Sequence, residues 1–367
     1  MSTLKVRFLA LAVTAGLAAT ACSSAATPAP TAAPTQAPAS AAASAAPASA
    51  GPKTPVALPA PELKTITIAN SAPTEILGFA PKLALVNGYF SKLGITASVL
   101  GMEGAGPATS ALAAGQAQFA YVGISIMNTI GSDAPAIMIA SGSLQLDDGL
   151  FCKASIKSAA DLKGATIGIS TFGGSGHGAV LLALKNLNVS SKDVTIKQVG
   201  GQGARIAALK GGSIDCANVQ DTQGTAALPG FNMVIDLRKV TAHLPTVGLA
   251  VTTAFLAKNP NTVLNVMAAV LQAENSMWKD PATTTTAFAA DAQMKEADVL
   301  PLVVAYTGIA PRSMAMVDGD WDTAIELYKF NKPDAATPKY SDVYTMSVLN
   351  KLKDLGWYSE IGNPQLP

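Results

Sequence analysis

Apolar and polar residues follow the same pattern twice between residues 62 and 250. In each copy a short run rich in β-branched residues stops at small polar residues, a helical stretch follows, and a second short apolar run comes next. These segments are 65–68, 76–93 and 95–100 in the first copy, and 166–169, 178–187 and 194–199 in the second. The pattern predicts a strand, a helix and a strand in each copy.

A shared spacing indicates that the two copies are related. Residues 111–122 and 208–219 both fit Ala-Leu-x-x-Gly-x-x-x-x-Ala-x-Val. The glycine, Gly115 or Gly212, is typical of a helix C-cap before a further short strand. Alternating strands and helices favour parallel sheets, so the sequence predicts an α/β fold with two doubly wound sheets. A ligand would bind in the cleft between them, beyond the carboxyl ends of the strands.

The segment Ser170–Gly178 is the strongest candidate for a ligand-binding loop. It lies between a predicted strand and a predicted helix, where backbone N–H groups and the helix dipole favour an anion. Ser170 and Thr171, at the end of the strand, are expected to contact the ligand, and a merely tight turn is the alternative. Arg205 could also bind an anion, although a surface salt bridge is the favoured interpretation for it.

The first 61 residues do not resemble a folded domain. A basic start, an apolar stretch over 8–17 and small residues before Cys22 are typical of an export signal. The cysteine resembles the lipidated residue of bacterial lipoproteins, which implies a signal peptide at 1–21 and lipid attachment to Cys22. Cleavage that leaves a free thiol is the alternative. Residues 22–61 are rich in Ala and Pro and predict a disordered tether.

Charge and composition exclude several classes of protein. Residues 62–367 carry 22 basic and 24 acidic side chains, which is too little positive charge for a nucleic-acid binder that depends on bulk electrostatics. Two histidines and three cysteines in the whole chain argue against a His/Cys zinc cluster. A P-loop and a serine nucleophile elbow are absent from the sequence. We therefore expect no metal site, no cofactor and no enzymatic activity.

Three stretches of sequence carry a resemblance to a known family. They are Val86–Phe90 with Leu93–Ile95, residues 111–122, and Ile156–Gly164. They resemble the solute-binding proteins of nitrate/sulfonate/taurine-type ABC importers, in a superfamily shared with thiamine-pyrimidine-precursor-binding proteins. The resemblance implies a type II periplasmic-binding-protein fold, in which two lobes close on a ligand. Lobe I would comprise 62–148 and 247–367, and lobe II 149–246.

The resemblance also implies which strand ends line the cleft, Ser71 and Ser125 among them. With the loop positions above, the predicted ligand-binding residues are Asn70, Ser71, Gly123, Ser125, Ser170, Thr171, Phe172 and Gln220. Ser71 and Ser125 could instead cap the helices that follow them, and Phe172 could be core or cleft wall.

Cys152 and Cys216 raise a separate question. In the sheet order that the resemblance implies, the strand near Leu150 lies beside the strand that holds Cys216. A disulfide between Cys152 and Cys216 is then possible, and two buried thiols are the alternative.

The sequence as a whole predicts the extracytoplasmic solute-binding protein of an ABC importer, anchored to the cell membrane by lipid. It would capture a small polar solute, with an anionic one favoured, and deliver it to a permease. The expected partners are the solute, the permease and ATPase subunits and the membrane, with no nucleic acid, and a monomer is expected. The alternatives are a neutral heteroaromatic solute such as a thiamine pyrimidine precursor, a ligand-sensing subunit, or an enzyme on the same frame.

Overall fold

A computed structural model describes residues 56–220, 227–240 and 243–363, which form an α/β structure with two sheets. The predicted signal peptide, Cys22 and most of the predicted tether lie outside the described residues. The predicted α/β fold with two separate sheets is confirmed.

The last residues of the predicted tether already contact the folded body. Val56 and Leu58 pack against the largest apolar cluster. The side chain of Asn265 donates a hydrogen bond to the carbonyl of Pro59 (2.8 Å). Contact with the body thus begins before residue 62, where the sequence analysis placed its start.

The described residues hold ten strands in two five-stranded sheets. The strands are β1 (Thr65–Asn70), β2 (Thr96–Gly101), β3 (Phe119–Val122), β4 (Ala136–Gln145), β5 (Asp148–Cys152), β6 (Thr166–Ile169), β7 (Thr195–Gln198), β8 (Cys216–Gln220), β9 (Asn232–Asp236) and β10 (His243–Thr252). The first sheet has the order β2-β1-β3-β10-β4, and the second has the order β7-β6-β8-β5-β9. We call the structure around the first sheet the first lobe and the structure around the second sheet the second lobe.

Parallel pairing, which the alternation of strands and helices predicted, holds for three strands of each sheet. β1 pairs in parallel with β2 and β3, and β6 pairs in parallel with β7 and β8. β10 and β5 run antiparallel to these strands. The reason is that the chain crosses between the sheets at β4–β5 and again at β9–β10, so β5 and β10 enter their sheets from the other end.

Helices cover the faces of both sheets. Within the described residues they are α1 (Ala80–Val86), α2 (Tyr89–Lys92), α3 (Ala105–Ala113), α4 (Ser175–Asn186), α5 (Gln202–Lys210), α6 (Thr253–Lys258), α7 (Pro260–Lys279), α8 (Pro281–Ala292), α9 (Glu296–Ile309), α10 (Asp322–Asn331), α11 (Ser347–Asp354) and α12 (Trp357–Glu360). No helix in these residues is both long and apolar enough to cross a membrane.

The sequence repeat occupies equivalent places in the two lobes. One copy spans the end of α3 and β3, and the other spans the end of α5 and β8. Gly115 and Gly212 follow the two helices with φ of 72° and 73°. This left-handed conformation is open to glycine without steric cost, so both predicted C-caps are confirmed.

Apolar packing joins the two lobes as well as stabilising each one. One cluster is centred on the first lobe, where α7 is buried along most of its length. A second cluster contains Val122 of the first sheet, Ile167 of the second sheet and Trp321, which directly precedes α10. Because this cluster crosses between the sheets, the lobes are in contact beside the cleft.

Candidate functional site

A small polar cavity lies between the lobes, where strands of both sheets end. Its volume is about 70 Å³, which is room for roughly two water molecules at the volume that each occupies in the liquid. Ser71 follows β1, Ser170 follows β6, and Gln220 ends β8, so the first and second lobes each contribute a wall. The cavity therefore lies where the strand pattern predicted a ligand site.

Three helices begin at the edge of this cavity. Gly104 precedes α3, Gly176 lies in the first turn of α4, and Gly201 precedes α5, and all three glycines line the cavity. The N-terminus of a helix presents unpaired N–H groups and the positive end of the helix dipole. This arrangement favours an oxygen atom or a negative group of a ligand.

Three charged residues also line the cavity. Glu75 comes from the first lobe, and Asp148 and Arg205 come from the second. Arg205 is only 4% exposed. Its Nε donates to the carbonyl of Asn218 (2.9 Å) and its Nη1 donates to the carbonyl of Gly200 (2.8 Å). The guanidinium is thus fixed in place at the cavity, which corrects the favoured interpretation of Arg205 as a surface salt bridge.

The three charges influence one another across the cavity. Removal from bulk water raises the pKa of Glu75 to about 7, against the opposing attraction of Arg205 and with a further increase from Asp148. Burial also raises the pKa of Asp148, and Arg205 and the Asn218 side chain oppose that increase. Burial lowers the pKa of Arg205, whereas the two carboxyls act to raise it. The cavity therefore contains two carboxyl groups for one cation.

Two buried amide side chains at the cavity keep an unsatisfied polar atom. Asn218 and Gln220 are 2% and 3% exposed. The Oδ1 atom of Asn218 and the Nε2 atom of Gln220 have no hydrogen-bond partner among the described residues. An unsatisfied buried polar atom costs free energy, on the order of 1–3 kcal/mol. A bound ligand that supplied one donor and one acceptor would remove this cost.

Three of the predicted ligand-binding residues line the cavity: Ser71, Ser170 and Gln220. The backbone N–H and the hydroxyl of Ser71 both donate to the carbonyl of Tyr121 (3.1 and 2.9 Å). The backbone N–H of Gln220 donates to Oε1 of Gln202 (2.8 Å). These bonds hold the strand ends in position, and Nε2 of Gln220 has no hydrogen-bond partner among the described residues.

Asn70 and Ser125 lie close by, but their side chains are engaged within the protein. Asn70 donates to the carbonyl of Gly78 (2.8 Å) and accepts from the N–H of Ala72 (3.1 Å). The hydroxyls of Ser125 and Thr109 are hydrogen-bonded to each other (2.8 Å). Neither residue lines the cavity, so the structure does not bring these two predicted side chains to it.

Thr171 and Gly123 lie at contacts between the lobes. Oγ1 of Thr171 accepts a hydrogen bond from the N–H of Gly106 in the first lobe (3.2 Å). A Cβ atom on Gly123 would lie 2.2 Å from the carbonyl oxygen of Thr246 and 2.3 Å from Oγ of Ser175. Ser175 in turn donates to the Thr246 carbonyl (2.9 Å). These contacts hold the lobes together around the cavity.

Phe172 is separate from the cavity. Its side chain is 53% exposed and packs edge-on against the ring of His177, with 5.2 Å between the ring centroids. Nδ1 of His177 accepts a hydrogen bond from the N–H of Gly173 (3.1 Å), and burial lowers the pKa of the imidazole. Neither ring lines the cavity.

The sequence analysis did not identify Glu75, Asp148 and Thr246 as site residues. Asp148 and Thr246 belong to β5 and β10, which run antiparallel to their neighbours. A search at the carboxyl ends of parallel strands passes over such residues. Asp148 lies directly opposite Gln220 in the ladder, and that pairing is the signal that would have identified it.

Cys152 and Cys216 are directly opposite each other in the antiparallel pair of β5 and β8. Their sulfur atoms are bonded in the structure. No cluster of three or more His, Cys, Asp or Glu side chains suited to a metal ion occurs in the described part of the chain.

Sequence comparison assigns the chain to a family. The family model described as NMT1/THI5 like matches residues 81–284, which is more than half of the chain. The chain belongs to the NMT1/THI5-like family. None of the curated proteins compared with this NMT1/THI5-like chain matches it.

Solved structures share the fold of this NMT1/THI5-like protein. The periplasmic nitrate-binding protein NrtA from Synechocystis PCC 6803 is 13% identical, with a TM-score of 0.66 over 84% of this chain and 92% of its own. The alkanesulfonate-binding protein SsuA from Xanthomonas axonopodis pv. citri, bound to MOPS, is 17% identical, with a TM-score of 0.61 over 77% and 99%. The desulfurization enzyme DSZB is 16% identical, with a TM-score of 0.58 over 80% and 99%. The type II periplasmic-binding-protein fold is thereby confirmed.

Proposed function

We propose that this NMT1/THI5-like chain is the extracytoplasmic solute-binding protein of an ABC importer. It captures a small polar solute in the cavity between the lobes and presents the closed, loaded form to a membrane permease. The observation that carries the proposal is a polar cavity to which both lobes contribute side chains, bordered by hydrogen bonds from one lobe to the other.

The comparisons support this proposal through the fold. NrtA and SsuA, which share it, are described as periplasmic nitrate-binding and alkanesulfonate-binding proteins. A fold can host several functions, so the chemistry of the cavity has to carry the rest. Three helix N-termini and the guanidinium of Arg205 would hold an electronegative group of the solute, with a hydroxyl from Ser170.

The proposed closure of the two lobes rests on hydrogen bonds that form only when the lobes are in contact. The hydrogen bond between Gly106 and Thr171 and that between Ser175 and Thr246 both cross the cleft. A solute that contacts Ser71 on one lobe and Ser170 on the other makes its full set of contacts in the closed form alone. Solute binding therefore shifts the population toward closure.

The remaining parts of the proposal rest on the sequence. A lipid on Cys22 and the tether that follows would hold the protein at the outer face of the cytoplasmic membrane. We place the lobe limits between β4 and β5 and between β9 and β10 instead of at 148/149 and 246/247, because β5 pairs in the second sheet and β10 in the first. A monomer would then serve the permease and its ATPase subunits.

A catalytic role is the second candidate, because one protein with this fold is the desulfurization enzyme DSZB. The acid–base properties of Glu75 favour a test of catalysis. The carboxyl of Glu75 has a pKa of about 7, which is suited to general acid–base chemistry near neutral pH. Conversion of a bound solute into a product, followed by mass spectrometry, would establish this role instead of simple binding.

The test of the proposed function is a thermal-shift screen against nitrate, sulfonates, small carboxylates, amines and pyrimidines. A solute that binds the folded state raises the Tm, and Ser170→Ala is expected to weaken that increase. A strain that lacks the protein should then fail to take up the same solute. Binding with normal uptake in that strain would contradict import and favour a ligand-sensing subunit.

A further inference from the structure

The cavity contains a group of hydrogen-bond acceptors that the described residues satisfy only in part. Glu75 and Asp148 supply carboxyl oxygens, and Asn218 supplies an amide oxygen. Nδ2 of Asn218 donates to Oδ1 of Asp148 (3.4 Å), which directs the amide nitrogen to the carboxyl. The Oδ1 atom of Asn218 is left without a partner although the residue is 2% exposed.

Arg205 does not donate hydrogen bonds to these acceptors. Two of its N–H groups are held by the carbonyls of Asn218 and Gly200. Neither Glu75 nor Asp148 forms an ion pair with it at 4.0 Å or less among the described residues, so the attraction between them acts across the cavity. One cation facing two carboxyls leaves an acceptor surface that a positive group would complete.

We propose that the solute carries an amine or amidine group, which binds against the carboxylates of Glu75 and Asp148 and the amide oxygen of Asn218. This inference rests on the proposed function and names the class of solute. The electronegative part of the solute lies toward the helix N-termini and Arg205. A simple inorganic anion lacks the donor that the acceptor surface requires, so the favoured anionic solute of the sequence analysis is replaced by one that also bears a donor.

The cavity also limits the size of this group. A volume of about 70 Å³ admits a planar amidine or a primary amine but no long chain. Acetamidinium and acetate are a matched pair of probes, since they have nearly the same shape and opposite charges. Isothermal titration calorimetry at pH 8 would compare them, because Glu75 is then mostly ionised.

The expected result is that acetamidinium binds and that acetate binds at least about tenfold more weakly, as for the loss of a charged hydrogen bond. Glu75→Gln and Asp148→Asn should each reduce acetamidinium affinity by about tenfold or more. The control is Glu103→Gln, which removes the same charge from an exposed residue that does not line the cavity. It should change affinity by less than about threefold.

Tighter binding of acetate than of acetamidinium would overturn the inference and leave the proposed function intact. Unchanged acetamidinium affinity in both cavity variants would also overturn it, as would failure of both probes to bind. If, in addition, no compound of the thermal-shift screen binds, the proposed function fails as well. Circular dichroism of each variant checks that the fold is retained.

Discussion

Glu274 provides a quantitative test of the packing in the first lobe. It lies on α7 with no exposed surface, and its Oε1 atom is 2.9 Å from the hydroxyl of Tyr306. The same hydroxyl is 2.8 Å from the carbonyl of Gly142. One hydroxyl proton cannot serve both oxygens fully, so a protonated Glu274 that donates to Tyr306 completes the chain of hydrogen bonds. The Oε2 atom of Glu274 has no hydrogen-bond partner among the described residues.

Burial raises the pKa of Glu274 from 4.5 to about 8. The folded protein therefore keeps a proton between these pH values that the unfolded chain releases. The stability from this group is fully present below pH 4.5 and is lost as the pH rises toward about 8. The slope approaches 1.4 kcal/mol per pH unit, or about 2–3 kcal/mol between pH 5.5 and 7.5.

Glu274→Gln removes the titrating group and retains the shape, and its N–H₂ group can donate to the hydroxyl of Tyr306 as the protonated carboxyl does. Urea unfolding at pH 5.5, 6.5 and 7.5 should show that the wild-type protein loses about 2–3 kcal/mol more than the variant over this range. Glu326→Gln, an exposed carboxylate paired with Lys185, is the control and should keep the wild-type slope. Parallel profiles for Glu274→Gln and the wild-type protein would refute the reasoning.

Four further predictions concern closure, packing, the disulfide and the anchor. Thr171→Ala removes the acceptor of a hydrogen bond between the lobes, so small-angle scattering should show a larger radius of gyration than for the wild-type protein. Thr171→Ser keeps the acceptor and should have the wild-type radius. Equal radii for all three proteins would contradict this. Gly123→Ala places a Cβ against the carbonyl oxygen of Thr246 and should lower the free energy of unfolding in urea by about 1–3 kcal/mol. An unchanged free energy of unfolding would disprove this close approach. Intact mass should rise by two hydrogens on reduction of Cys152–Cys216, and an unchanged mass would mean two free thiols. Cys22→Ala should release the protein into the medium, and retention on the membrane would contradict lipid anchoring.

Local sequence signals predicted the repeated framework well. The glycines at the ends of α3 and α5 adopt positive φ because the chain must turn out of the helix within a few residues to enter the next strand. This requirement involves only neighbouring residues, so the sequence shows it. The alternation of strands and helices likewise gave the parallel strands of each sheet. Ser170 was found because parallel strands bring their carboxyl ends to the same edge, and Ser71 was found through the family resemblance.

The charged part of the cavity could not be found in the same way. Glu75, Asp148 and Arg205 come from three distant segments, and only the packing of one lobe on the other brings them to one cavity. Arg205 follows a glycine-rich turn that has the appearance of a solvated helix start, and its burial depends on β8, to which it donates. A single sequence carries no local mark of such a tertiary contact.

The central claim is that the two lobes close on a small polar solute held between them. Small-angle scattering with and without the solute retained in the thermal-shift screen tests it most directly. The account predicts a smaller radius of gyration with the solute present, and a reduced response for Ser170→Ala. A bound solute that leaves the radius of gyration unchanged, with full affinity in Ser170→Ala, would contradict it.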